Sequence, residues 1–94
     1  MIKSSILFVS NEEVSNHDLE MFIKCHDECL PDIKLKIVDF FSSKFEDLQL
    51  VSKYRVVSLP TYVGVANNSK ALFRIAGRLP TSDDLSVLTH EDIQ

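Results

Sequence analysis

The chain has no tryptophan, two glycines, three prolines and two cysteines in 94 residues, and ten basic side chains against fourteen acidic ones. Each scarcity removes a class of function. With Gly64 and Gly77 as its only glycines, the chain has no Gly-rich loop to cradle a phosphate. A net charge of −4 and an isoelectric point near 5.2 leave no concentrated positive charge for a phosphate backbone, which argues against a nucleic-acid partner. No apolar run approaches the roughly 18 residues of a membrane span. The run Ile6-Leu7-Phe8-Val9 is shorter than a secretory h-region and no small-residue cleavage site follows it. The expectation is a cytoplasmic protein whose thiols stay reduced.

What is there is a balanced globular composition, 45% hydrophobic and 26% charged. The length sets one small domain spanning 1–94, with one core rather than two.

Ser5 to Ser10 is β-rich and ends at the polar Asn11-Glu12-Glu13, as a short buried strand would. Ser15-Asn16-His17-Asp18 has capping-box spacing ahead of an apolar-periodic run from Leu19 to Leu30, and Pro31 stops that helix. Ile33 to Phe40 predicts a second strand. Ser43-Lys44-Phe45-Glu46 repeats the capping pattern, and Phe45, Leu48, Leu50 and Val51 predict an amphipathic helix ending near Tyr54. Val56 to Val65 reads as strand, with Pro60 marking a bend or a first strand residue. Asn67-Asn68-Ser69 turns it into Ala71 to Ala76, an antiparallel hairpin partner. Gly77 follows, where a bulge or a close backbone approach would need it. Thr81-Ser82-Asp83-Asp84 caps a short last helix through about Leu88. The order is βαβαββα, an α/β fold with a mixed four-stranded sheet and flanking helices. Its two crossover helices predict parallel pairing among the first three strands, and the hairpin adds an antiparallel edge. That edge strand, Ala71 to Ala76, is a candidate for homo-oligomer contact.

The stretch Lys24-Cys25-His26-Asp27-Glu28-Cys29 concentrates both cysteines. At 100° per residue, Glu20, Lys24, Asp27 and Glu28 share the polar arc, the cysteines flank the buried face, and His26 sits near its middle. Helical residues four apart hold their Cβ atoms about 5–6 Å apart, beyond the 3.5–4.5 Å of a disulfide. A position at the C-terminal end of the helix also works against a thiolate. A structural zinc needs four ligands, and Cys25, Cys29 and His26 supply at most three. No metal and no cofactor is expected; the cysteines read as packing residues and His26 as a hydrogen-bonded core histidine. No catalytic residue is expected either: Glu12-Glu13 and Asp83-Asp84 adjoin no candidate nucleophile.

The run Lys53-Tyr54-Arg55-Val56-Val57-Ser58-Leu59-Pro60-Thr61-Tyr62 resembles the thioredoxin-like pattern that leads from a short helix to a strand through a cis-proline. The resemblance implies a thioredoxin-like fold over nearly the whole chain, with a cis Leu59-Pro60 bond. Redox thioredoxins carry Cys-x-x-Cys just after the first strand, where this chain has Asn11 to Asn16. A narrower resemblance is to the KaiB family of circadian-clock proteins and the sensory domain of the clock kinase SasA. It is carried by Gln49-Leu50 ahead of Pro60-Thr61, by Ile37-Val38-Asp39, and by Phe73-Arg74-Ile75-Ala76-Gly77-Arg78-Leu79. Ser10-Asn11-Glu12 and Arg78 depart from the family's "A-G-N" and "G-D-L". Arg55 falls where that family has a lysine that contacts its ATPase.

This resemblance implies a non-enzymatic regulatory module that docks on a KaiC-like ATPase or another signalling protein, with Lys53, Tyr54, Arg55 and Gly77 as partner-binding residues. The alternatives are a thioredoxin-like oxidoreductase, which the cysteine placement disfavours, and a redox-inactive adaptor or chaperone unrelated to clocks. For Lys53, Tyr54 and Arg55 the bland alternative is that basic residues offset the dipole at a helix C-terminus.

Overall fold

The computed structural model describes residues 2–42 and 44–91. Strand β1 (Ser4–Val9) is buried from Ser5 onward, as its continuous apolar run requires. Helix α1 (Asn16–Cys29) starts at Ser15, whose side chain accepts the Asp18 N–H at 3.1 Å. It ends at Leu30, whose N–H closes on the His26 carbonyl at 2.7 Å before Pro31 removes the next donor. Strand β2 (Lys34–Asp39), helix α2 (Phe45–Lys53), strands β3 (Thr61–Val65) and β4 (Ala71–Ala76) and helix α3 (Ser82–Glu91) complete the βαβαββα order.

The sheet order is β2-β1-β3-β4. β1 runs parallel to β2 in register, Ser4 opposite Lys34 through Val9 opposite Asp39. The expected parallel relation does not extend to β3. It pairs antiparallel with β1, Phe8 opposite Thr61 and Ser4 opposite Val65.

The reason lies in the segment expected as one long strand from Val56 to Val65, of which only the half from Thr61 joins the sheet. At the end of α2 the chain makes a Schellman turn: Val56 N–H bonds the Val51 carbonyl at 3.1 Å and Arg55 N–H the Ser52 carbonyl at 3.2 Å. Arg55 takes the left-handed conformation, φ 50°, and residues 56–60 then return the chain to the end of the sheet from which β2 departed. β3 has to start there and run back.

Two apolar clusters form rather than one. Leu7, Val9, Phe22, Leu30, Tyr62, Leu85 and Leu88 pack on the α1 and α3 side. Ile6, Phe8, Val38, Tyr54, Val56, Val63 and Val65 pack on the α2 side. Central strands buried on both faces make this split unavoidable, because alternate side chains of β1 and β3 point to opposite faces.

Local expectations fare unevenly. The third capping box is present, with Thr81 N–H donating to Asp84 Oδ2 at 2.8 Å and Asp84 N–H to Thr81 Oγ1 at 3.3 Å. The second is expected at Ser43, which lies outside the described residues, as does the side chain of His90; α2 starts at Lys44 with no side-chain cap bond. Gly77 serves neither a bulge nor a close approach. Its φ is +89° and a Cβ there would meet nothing within 4 Å, so the left-handed backbone is what it supplies. The close approach falls at Gly64, where a Cβ would lie 2.6 Å from Ile2 Cδ1, and the sheet irregularity is at Gly64/Val65.

Candidate functional site

Val9, Asp39 and Thr61 lie at one end of the sheet, where β1 and β2 finish and β3 begins. Open α/β sheets place their sites beyond the carboxyl ends of the parallel strands. The loop after β1 is folded by Ser10, whose carbonyl accepts the N–H groups of Glu13 and Val14 at 3.0 and 3.1 Å and whose Oγ accepts that of Glu12 at 3.2 Å. Val14 is buried beneath it; Asn11, Glu12, Glu13, Ser15 and Asn16 are exposed.

Across from this loop, Leu59-Pro60 is cis and Pro60 is buried. Thr61 Oγ1 donates to the Ser58 carbonyl at 2.7 Å, and Gly77 N–H donates to the Pro60 carbonyl at 2.8 Å. The structure thus brings Pro60 and Gly77 together. It places no thiol there, since Cys25 stands nine helical residues beyond Asn16, about 14 Å along the axis.

Cys25 and Cys29 are free, half-buried and packed against the α1-side core. Burial, followed by the neighbouring Cys29 and Glu28, pushes the Cys25 thiol up, away from the reactive thiolate. Among the described residues no group of three or more His, Cys, Asp or Glu side chains is placed to hold a metal ion.

His26 is fully buried, and its Nε2 lies 3.1 Å from Ser5 Oγ, which in turn lies 2.6 Å from the Tyr62 hydroxyl. Its Nδ1 has no partner. Burial lowers the His26 pKa, with Asp27 opposing, and raises that of Tyr62, with the Ser5 bond opposing. Phe22 stands 6.0 Å from both rings. This chain of polar groups is sealed in the core and holds α1 to β1 and β3.

The second expected patch lies elsewhere. Tyr54 is buried, with its ring 6.4 Å from that of Phe8 and its hydroxyl donating to the Ser69 carbonyl at 3.0 Å. Ser69 belongs to the hairpin turn, at the opposite end of β3 from Pro60. Lys53–Arg55 is therefore separated from Gly77, and Tyr54 offers no ring to a partner. The exposed part of the patch is Lys53 and Arg55, with Lys53 Nζ 5.4 Å above the Tyr54 ring centroid and the Arg74 guanidinium bonded to the Tyr54 carbonyl.

Three apolar side chains that the sequence did not single out as surface are exposed, two of them just after β2 ends. Phe41 and Phe45, in the β2–α2 loop and at the start of α2, are 68% and 72% exposed, and Val57 is 93% exposed. Leu48, one turn on from Phe45, is also exposed. A signal was available in helical phase. With Phe45 at zero, Leu48 falls near 300° while Leu50 and Val51 fall near 140° and 240°, so the four cannot share one buried stripe. Leu50 and Val51 pack against the core.

The chain matches no protein-family model and no curated protein. It is similar to solved structures. A malarial protein is 22% identical, with 97% of each chain covered and a TM-score of 0.70. Thioredoxin O2 from Arabidopsis thaliana, in its oxidized state, is 16% identical over 96% of this chain and 74% of that one, with a TM-score of 0.71. Thioredoxin-2, a component of the malaria parasite protein secretion machinery, is 23% identical over 94% and 81%, with a TM-score of 0.65. At these identities the likeness carries the fold alone: the chain has a thioredoxin-like fold.

Proposed function

We propose that this protein is a non-enzymatic protein-binding module on a thioredoxin-like frame. The observation that carries the reading is the Pro60 end of the sheet, where the Asn11–Asn16 loop supplies no thiol and where the exposed Phe41 and Phe45 follow the end of β2. Exposed aromatic residues with a polar surround are what a protein partner would cover.

Within that reading, the partner class is a KaiC-type ATPase or a comparable signalling protein in the cytoplasm. The matched segments around Gln49-Leu50, Pro60-Thr61 and Phe73–Leu79 support it, and so does Arg55. A left-handed backbone at a helix end favours glycine, and a side chain there costs about 1 kcal/mol. An exposed cation at such a position fits a task outside the fold, beside the dipole offset that a basic side chain supplies at any helix C-terminus. A redox-inactive adaptor with another partner is the alternative; the oxidoreductase reading has no thiol beside Pro60 to work with.

Immobilised protein should retain a KaiC-type ATPase in the presence or absence of ATP, and Phe41→Ser with Phe45→Ser should release it. No retention in either state removes this partner class and leaves the adaptor. The enzyme question is read separately by thiol reactivity: Cys25 and Cys29 should react slowly in native protein and rapidly after unfolding.

A further inference from the structure

Cys25 and Cys29 have no part in the function proposed above. They stand one turn apart on α1, both free and half-buried, and both pack against the α1-side core. Four residues of helix separate their Cα atoms by about 6 Å along the axis and turn them about 40° apart, so both thiols leave the same side. The two also act on each other. After burial, the causes that push the Cys25 thiol up are a hydrogen bond with Cys29 and the charge of Cys29, ahead of Glu28. His26, between them in sequence, directs its Nε2 into the core toward Ser5 Oγ at 3.1 Å. Met21, one turn earlier on the same stripe, places an exposed thioether on the approach to Cys25.

A pair too far apart for a disulfide suits an ion placed between the sulfurs. Two metal–sulfur bonds of roughly 2.3 Å span up to about 4.6 Å, and helical Cβ atoms about 5–6 Å apart reach that separation without unwinding the turn. The number of ligands then selects the ion. Among the described residues no third His, Cys, Asp or Glu joins the pair. Structural zinc and iron–sulfur clusters take four protein ligands, and calcium and magnesium take oxygen. Copper(I) is the soft ion that two thiolates satisfy. The surroundings fit as well. Cys29 lines a pocket of about 120 Å³ with Ile2, Leu30, Ile33 and Leu88, with Asp32 at its margin; an apolar shell of this kind limits competition from water. A cation held there cancels the repulsion between two neighbouring thiolates, because a coordinating thiol gives up its proton to the charge of the metal.

We propose that Cys25 and Cys29 form a binding site for copper(I), chelated by two thiolates between successive turns at the end of α1. Two S–H bonds break and two S–Cu bonds form; both protons pass to solvent, and the copper stays monovalent. The chelate carries a charge of −1, which Lys24 offsets and Asp27, Glu28 and Asp32 oppose. It ties the last turn of α1 to the turn before it, so binding raises the unfolding temperature. This site goes beyond the partner surface at the Pro60 end and does not depend on it.

The test uses the full chain, reduced and free of oxygen, titrated with copper(I) held as its bicinchoninate complex. The protein should take a single copper per chain without changing its size in gel filtration, and X-ray absorption should show two sulfur neighbours and no nitrogen. Release of two protons should make the affinity rise roughly a hundred-fold per pH unit on the acid side of neutrality, after correction for the chelator. Cys25→Ser and Cys29→Ser should each weaken binding by about a hundred-fold or more and reduce the slope to one proton. Glu28→Gln should tighten it by about three-fold. Stoichiometry and sulfur count in the unaltered chain hold the test open if a variant fails to fold. Copper shared between two chains, a nitrogen neighbour, a one-proton slope in the unaltered chain, serine variants that keep its affinity, displacement by equimolar zinc, or no uptake from the chelator would each overturn the proposal.

Discussion

Arg55 is where local backbone preference and side-chain identity disagree most plainly. It sits at the C′ position of a Schellman turn with φ 50°, and replacing it by glycine should raise stability by about 1 kcal/mol in urea unfolding. If the side chain serves a partner, the same variant should lose affinity while gaining stability, and a loss of both would point to a structural role. Gly77 is the converse. Its φ of +89° makes Gly77→Ala destabilising by about 1–2 kcal/mol although the space beside it is open.

His26 gives a pH signature at the same scale. Burial lowers its pKa below the ordinary 6.5, so as pH falls the unfolded chain takes up the proton first. Its contribution is fully present above about pH 6.5 and is lost progressively below it. The denaturation midpoint should therefore fall between neutral and mildly acidic pH, and His26→Gln should flatten that slope. That His26 would be a core residue was legible in helical phase. That its partner would be Ser5, 21 positions away, was not, because nothing in a one-dimensional pattern pairs a helix residue with a strand residue.

Among the elements, the helix starts separate what pattern can and cannot show. Ser15 caps α1 through the Asp18 N–H, and Ser15→Ala should cost about 1 kcal/mol in thermal unfolding. At α3 the Thr81–Asp84 box is reinforced by Arg78, whose Nη1 lies 2.7 Å from Asp84 Oδ2. The Arg78 guanidinium and the Thr81 N–H hold the Asp84 carboxyl well below the usual carboxylate range. That support is present above the ordinary value of 3.8 and is lost as pH falls below it. Hydrogen exchange should show α3 opening ahead of α1 in acid.

Helix α2 has neither device, and its apolar residues split between two sides. Read as one amphipathic face, the four apolar residues in fact span more than half a turn in helical phase. The structure divides it because Leu50 and Val51 must follow Val38 and Val56 into the core, which turns Phe45 and Leu48 outward.

At the scale of the molecule, the absence of cysteine from Asn11–Asn16 acquires its meaning from the fold. The sequence determined the order of elements, the turn at Asn67-Asn68-Ser69, the starts of α1 and α3 and the placement of both thiols far from Pro60. These follow from local chemistry: apolar period, capping side chains and proline. It did not determine the direction of β3, the division of the core across two faces, the burial of Tyr54 or the exposure of Phe41 and Val57. Those depend on which end of the sheet the chain has reached when it leaves α2. That was decided by the left-handed turn at Arg55 and by what the central strands needed covered on each side.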